Sequence, residues 1–260
     1  MTQTRILRRL DPQDEARVAA LQATCHELHL MPPPVSYVGL AVYPCPREFL
    51  VGGLIPEDLD LSRRGVEPLS SYEARAESWV RNAYNLVVGQ LVPVGASAGT
   101  NVYGAGGMRA KDFNGVLRGT GGSCLWVDNT ARYVATAGIW GMGIVVGTGT
   151  GAESFESHAL DAAVMEGAFA LRLNYMASPT PTATYDGGTK KWTATAQRLM
   201  NNNSGGAIVI GECAYYVQAY YDATYGTFMF ARELVSPTVS VPDTAQLKVT
   251  FTTVSMAYPA

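Results

Sequence analysis

From Ala137 to Met256 the apolar positions fall in β-rich segments separated by turn signals. In the stretch Ala168 to Tyr175, Phe169, Leu171, Leu173 and Tyr175 alternate with Ala168, Ala170, Arg172 and Asn174, which predicts a strand with one buried face. Further strands are predicted for Trp192 to Met200, Ala207 to Tyr221 (with a bulge near Gly211), Thr227 to Val235 and Leu247 to Met256. Asp186-Gly187-Gly188, the cluster from Asn201 to Gly206, and Thr224-Tyr225-Gly226 separate them as turns, and Pro237 and Pro242 bracket a short edge-like piece. Ile144 to Val146 reads as a buried strand ended by glycines, and Phe155 to Glu166 as a loop holding a turn or two of helix. Earlier in the chain, Val38 to Tyr43, Cys124 to Val127 and Tyr133 to Thr136 are shorter strand candidates, and Asn114-Gly115 is a hairpin-turn signal.

Two segments carry the helical period instead. Asp11 to Leu30 has an N-capping Asp11, Pro12 at the first helical position and acidic residues in the first turn, with Val18, Leu21, Cys25 and Leu28 as its apolar stripe. Pro32-Pro33-Pro34 stops it. Ser71 to Leu91 is predicted as the second helix: Ser70 and Glu73 have capping-box spacing, and Trp79, Val80, Ala83, Tyr84, Val87 and Leu91 recur at steps of three and four. Between these helices, Pro44 to Pro68 reads as an extended arm that either reaches a neighbouring subunit or wraps its own domain. The expected fold is mainly β, an antiparallel β-sandwich or barrel with an N-terminal helix, an extended arm and one further helix. Residues 1–70 form the helix and arm, and residues 71–260 the β-rich domain opened by the helix over 71–91.

Composition shifts this picture toward assembly. Of 260 residues, 47% are hydrophobic and only 16% charged, below the share of about a quarter found in ordinary domains. With 14 tyrosines, that balance points to a surface partly covered by neighbours. A net charge of −3 gives no general attraction to nucleic acid or an anionic membrane. No stretch reads as a signal peptide or a membrane span. Cys25, Cys45, Cys124 and Cys213 are scattered without a CxxC pair and are expected to be reduced.

Candidate chemistry is sparse. Gly147-Thr148-Gly149-Thr150-Gly151 follows a strand as a dinucleotide loop would, but its spacing is G-x-G-x-G, and no lysine follows to hold phosphate. Gly95-Ala96-Ser97-Ala98-Gly99 matches a nucleophile elbow, with His158 the only downstream histidine, but the glycine-rich continuation lacks the helix an elbow requires. Cys25, His26 and His29, with Cys45 beyond, match no standard zinc spacing. Glu57, Asp58 and Asp60 sit in the polar arm and read as solvated. Tyr215, Tyr216, Tyr220 and Tyr221 would make a carbohydrate platform only if one face of their strand were exposed. No catalytic, cofactor-binding or metal-binding residue is assigned, and no cofactor is expected.

Four blocks carry a resemblance. Ile144-Val145-Val146-Gly147-Thr148-Gly149, Asn202-Asn203-Ser204-Gly205-Gly206-Ala207-Ile208, Phe230-Ala231-Arg232-Glu233-Leu234 and Val241-Pro242 are similar, in that order, to structural proteins of tailed bacteriophages. Ser78 to Asn85 before a glycine-rich stretch fits the same pattern, while residues 1–70 lie outside it. The resemblance implies a virion component without fixing which one, with tail or neck, baseplate, fibre attachment and capsid decoration all open. The expected reading is a non-enzymatic structural protein of tail, neck or baseplate, made in the host cytoplasm. Its expected partners are copies of itself and other virion proteins, with residues 1–70 clasping neighbours. Capsid decoration and a receptor- or glycan-binding module at a tail tip are the alternatives.

Overall fold

A computed structural model describes residues 4–28, 35–76, 78–80, 82–83, 109–119, 134–188, 191–221 and 224–257. In chain order the elements are β1 (Arg5–Arg8), α1 (Pro12–Glu27), β2 (Val35–Pro44), β3 (Ser70–Ala76), β4 (Ser78–Trp79), β5 (Arg109–Lys111), β6 (Leu117–Gly119), β7 (Gly143–Gly147), β8 (Asn174–Tyr175), β9 (Thr182–Asp186), β10 (Lys191–Asn202), β11 (Ile208–Tyr221), β12 (Thr224–Val241) and β13 (Ala245–Ala257). The fold is mainly β and sandwich-like, and no closed barrel occurs among the described residues. One sheet has the order β1-β3-β2-β13-β10-β8, with β9 also paired to β10; the second has the order β4-β12-β11-β7. β5 and β6 form a separate hairpin. Among the described residues, no helix is long and apolar enough to cross a membrane.

Strand alternation builds the core. Val38, Leu40 and Val42 of β2, Tyr72 and Ala74 of β3, and Leu247, Val249 and Phe251 of β13 point inward from the first sheet. Ile144, Val146, Cys213, Tyr215, Phe228 and Met229 belong to the same apolar cluster from the second, and Tyr215 stacks on Phe251 with ring centroids 5.9 Å apart. Arg198 of β10 also points into this core. Its guanidinium donates to the carbonyl oxygens of Met142 (2.7 Å), Ile144, Thr136, Ile139 (2.6 Å) and Met176, and lies 4.7 Å from the centre of the Tyr175 ring. Burial pulls it down to about 10, far enough above neutrality to leave it charged.

Several expectations are corrected. Ser71 to Leu91 does not begin as a helix: Ser70–Ala76 is strand β3, paired antiparallel to β2 with Leu40 opposite Tyr72. Tyr72, Ala74 and Ala76 alternate as cleanly as a strand demands, whereas the helical stripe rested on Trp79 and later residues; 84–91 lie outside the described residues. Within 168–175 only Asn174–Tyr175 is strand, because positive φ at Gly167 (141°) and Leu171 (60°) turns the chain out of extended geometry. Leu173 and Tyr175 are buried as expected, but Phe169 and Leu171 are exposed. Residues 155–166 form turns without helix, and the described part of Tyr133 to Thr136 is not strand. Asn201 and Asn202 end β10 instead of opening a turn, and β12 runs through Pro237 to Val241 as one strand. Leu21 and Leu28 on α1 are exposed, while Val18 and Cys25 are half-buried.

The arm wraps its own domain. Ile55, Leu59 and Leu61 bury against one another, with Tyr43, Phe49 and Val66 packed around them. Gln246 accepts from Leu61 N–H (2.9 Å) and donates to Leu59 O (2.7 Å), and Asn203 accepts from Ile55 N–H (2.9 Å) and donates to Ile55 O. β3, which spans the expected boundary after residue 70, pairs with β2 from before it in one sheet.

Candidate functional site

The glycine run after β7 covers a buried charge cluster. Glu212 on β11 and Arg232 on β12 share the outer face of the second sheet, and the loop 148–162 passes over them. Both side chains are almost fully buried. Arg232 pairs with Glu212 Oε2 and Asp161 Oδ2, each at 2.8 Å, and donates to the carbonyls of Gly151 and Ala152. Glu212 in turn accepts from the backbone N–H groups of Asp161 (3.2 Å) and Ala162 (2.9 Å). A Cβ at Gly147 would come within 2.5 Å of Glu212 Oε1, one at Gly149 would overlap the same oxygen, and one at Gly211 would overlap the Gly149 carbonyl. Glycine is needed here because two chain segments lie directly on a carboxylate.

Every polar atom of Glu212 and Arg232 therefore has a partner, in the loop or in the pair itself, which suits a clamp. The sequence signal was present in the spaced glycines, which mark close backbone approach. The acid beneath them lay 61 or more residues away and looked like an ordinary strand residue. Cys213, beside it on β11, is pushed well up by burial and by the Glu233, Glu153 and Glu212 carboxylates, and stays an inert thiol.

The loop that follows is the conspicuous exposed feature. Glu166 accepts from Tyr175 N–H (2.7 Å) and from the Asn174 amide, Arg172 donates to Glu166 O (3.0 Å), Gly167 N–H donates to Leu173 O (3.1 Å), and Leu173 N–H donates to Met165 O (3.2 Å). These bonds seal the mouth of the loop. Its tip presents Phe169 (73% exposed) and Leu171 (68%) to solvent, with the Arg172 guanidinium 6.0 Å from the Phe169 ring centre. Beside the tip lies a groove of about 590 Å³ lined by Val164, Met165, Leu171, Ala207 and Val209 among others.

Among the described residues, the remaining sequence candidates do not assemble into chemistry. Asp60 caps the short turn 61–64 through Ser62 N–H (3.0 Å) and pairs with Arg63 (3.2 Å), so it is a local structural acid. Tyr215 and Tyr216 are buried, and Tyr216 OH accepts from Leu160 N–H (3.0 Å), which removes both from any surface platform. Among the described residues no group of histidine, cysteine and acid gathers as a metal site. His29 and the Gly95–Gly99 elbow with Ser97 lie outside the described residues, and His158 stands under the Asn114-Gly115 turn. No family model, no curated protein and no solved structure matches the chain.

Proposed function

We propose that the chain is a non-enzymatic virion structural protein that assembles by packing copies of itself in a phage tail, neck or baseplate. The observation that carries the assembly is the stiff, solvent-facing apolar loop. A bulky leucine held at positive φ costs on the order of 1–2 kcal/mol, and its side chain and that of Phe169 then lie in water, where burial would recover about 1.5–3 kcal/mol each. A loop sealed by five hydrogen bonds and aimed outward is suited to a partner that covers it.

The groove beside the tip belongs to the same face, so a second copy can seat its Phe169 there while offering its own groove in return. The virion setting rests on the phage-like blocks, and these meet in space. The first lies on β7, which pairs with β11; the third lies on β12, beside β11; and Asn202 of the second donates to Val241 O and Pro242 O of the fourth.

Light scattering of the purified protein tests the reading. The expected result is a closed oligomer that the double variant Phe169→Glu, Leu171→Glu converts to a monomer with unchanged circular dichroism. A monomeric wild type, or a variant that still assembles, would overturn it.

A further inference from the structure

Gly39, unlike the loop and turn glycines, stands inside a long strand where neither its φ nor close packing calls for glycine. Gly39 sits in the middle of β2, a central strand, where glycine weakens a sheet. Unlike Gly147 or Gly149, it has nothing pressed against it: a Cβ would find only Tyr72 O, at 3.9 Å, an ordinary contact. Its φ lies outside the positive region. What its missing side chain does is leave open a trough of about 420 Å³ on the outer face of the seven-stranded sheet.

The trough runs along β2. Tyr37 and Tyr43 close its two ends, six residues apart on one face and so roughly 20 Å from each other. Its walls come from β3 and β13, two strand spacings apart and so roughly 10 Å. Glu73 and Thr250 flank Gly39 in the register, and Lys248 flanks Ala41. Neighbours orient these groups: Tyr37 OH donates to Glu15 on α1 (2.7 Å), and Lys248 Nζ donates to Ser62 on the arm (3.2 Å).

We infer that this trough binds a short, neutral oligosaccharide. Half-exposed tyrosine rings offer faces for the C–H side of a sugar. Between them stand a carboxylate, an ammonium and a hydroxyl, donors and acceptors without net charge, which is the complement of a polyhydroxylated ligand and not of a phosphate or nucleic acid. The trough lies over β2, β3 and β13 and shares no lining residue with the groove beside Phe169 and Leu171, so it does not depend on the assembly loop.

Titration calorimetry with three oligosaccharide series of two to six residues tests this: β-1,4-glucans, α-1,4-glucans and β-1,4-linked N-acetylglucosamine. The expected result is saturable binding to at least one series, weakened at least tenfold by Tyr43→Ala and by Glu73→Gln. Gly39→Val is the decisive variant, because the structure has room for its side chain and valine suits a strand. It is expected to abolish binding while the thermal midpoint stays level or rises and the oligomer is unchanged. Failure of all three series, wild-type affinity in Gly39→Val, or loss of the oligomer in that variant would overturn the inference. The first two results would leave the assembly reading standing.

Discussion

Arg232 and Glu212 form a pair in which each residue is needed because the other is there. Removing the guanidinium with Arg232→Met leaves a carboxylate buried without its counter-charge, and the expected cost is about 3–5 kcal/mol. Replacing both, with Glu212→Met and Arg232→Met, takes that penalty away but strips partners from Asp161 N–H, Ala162 N–H and the carbonyls of Gly151 and Ala152. The double variant should therefore recover only part of the loss, and denaturant unfolding of the cycle should show strong non-additivity. Two single costs that simply sum would mean the pair is not coupled. Glycines in this protein divide on the same physical ground. Gly147, Gly149 and Gly211 are small because chain and carboxylate press on them, while Gly39 is small where space is left empty. The glycine run was legible in the sequence as structural, but its purpose was not, since the acid it covers comes from a strand distant in the chain.

At the level of elements, the arm is held to the sheet by polar side chains as much as by its three buried apolar ones. Gln246 is fully buried on β13 and serves two backbone groups of the arm and the Asn201 amide oxygen (2.6 Å). Gln246→Leu keeps the volume but leaves Leu61 N–H and Leu59 C=O unsatisfied, at about 1–3 kcal/mol each. The arm should then open locally before the domain unfolds, and limited proteolysis should cut between residues 46 and 65 faster than in the wild type at temperatures where circular dichroism is unchanged. Equal cutting rates would show that the apolar contacts alone hold it. The long strands were readable for two reasons: β10 and β13 alternate over most of their length, and β11 is a long run of apolar and aromatic residues, with turn residues bounding it at its start. β3 was not, because its seven residues precede an apolar run of helical spacing that outweighed it, and because Ser70 and Glu73 mimic a cap. The 168–175 stretch failed for the opposite reason: its alternation is real, but two positive-φ residues turn it into a loop whose apolar side chains face out.

Across the whole molecule, phenols are the titrating groups that the sandwich perturbs most consistently. Burial raises Tyr72, Tyr175 and Tyr216, and it raises Tyr37 to about 12 with help from the Glu15 carboxylate that accepts its hydroxyl. The unfolded chain releases these protons near the ordinary tyrosine value of about 10. Above that pH the unfolded state has lost protons that the folded state still holds, so fewer protons are bound in the unfolded form and stability falls as pH rises. Below it both states are fully protonated at these sites and their contribution is flat. The groups are also structurally placed: Tyr175 OH donates to Val164 O (2.8 Å) and accepts from Val146 N–H, and its ring faces Arg198. Ionising it in place would remove the donor and set a buried phenolate in the core, so the molecule unfolds before it titrates. The thermal midpoint is expected to be level from about pH 7 to 9 and to drop steeply between about pH 10 and 12, with the last part of the tyrosinate absorbance, that of the buried phenols, appearing together with the loss of circular dichroism. A midpoint level through that upper window, or a tyrosinate absorbance that is complete while the β signal is intact, would mean the sandwich does not keep the buried phenols from solvent.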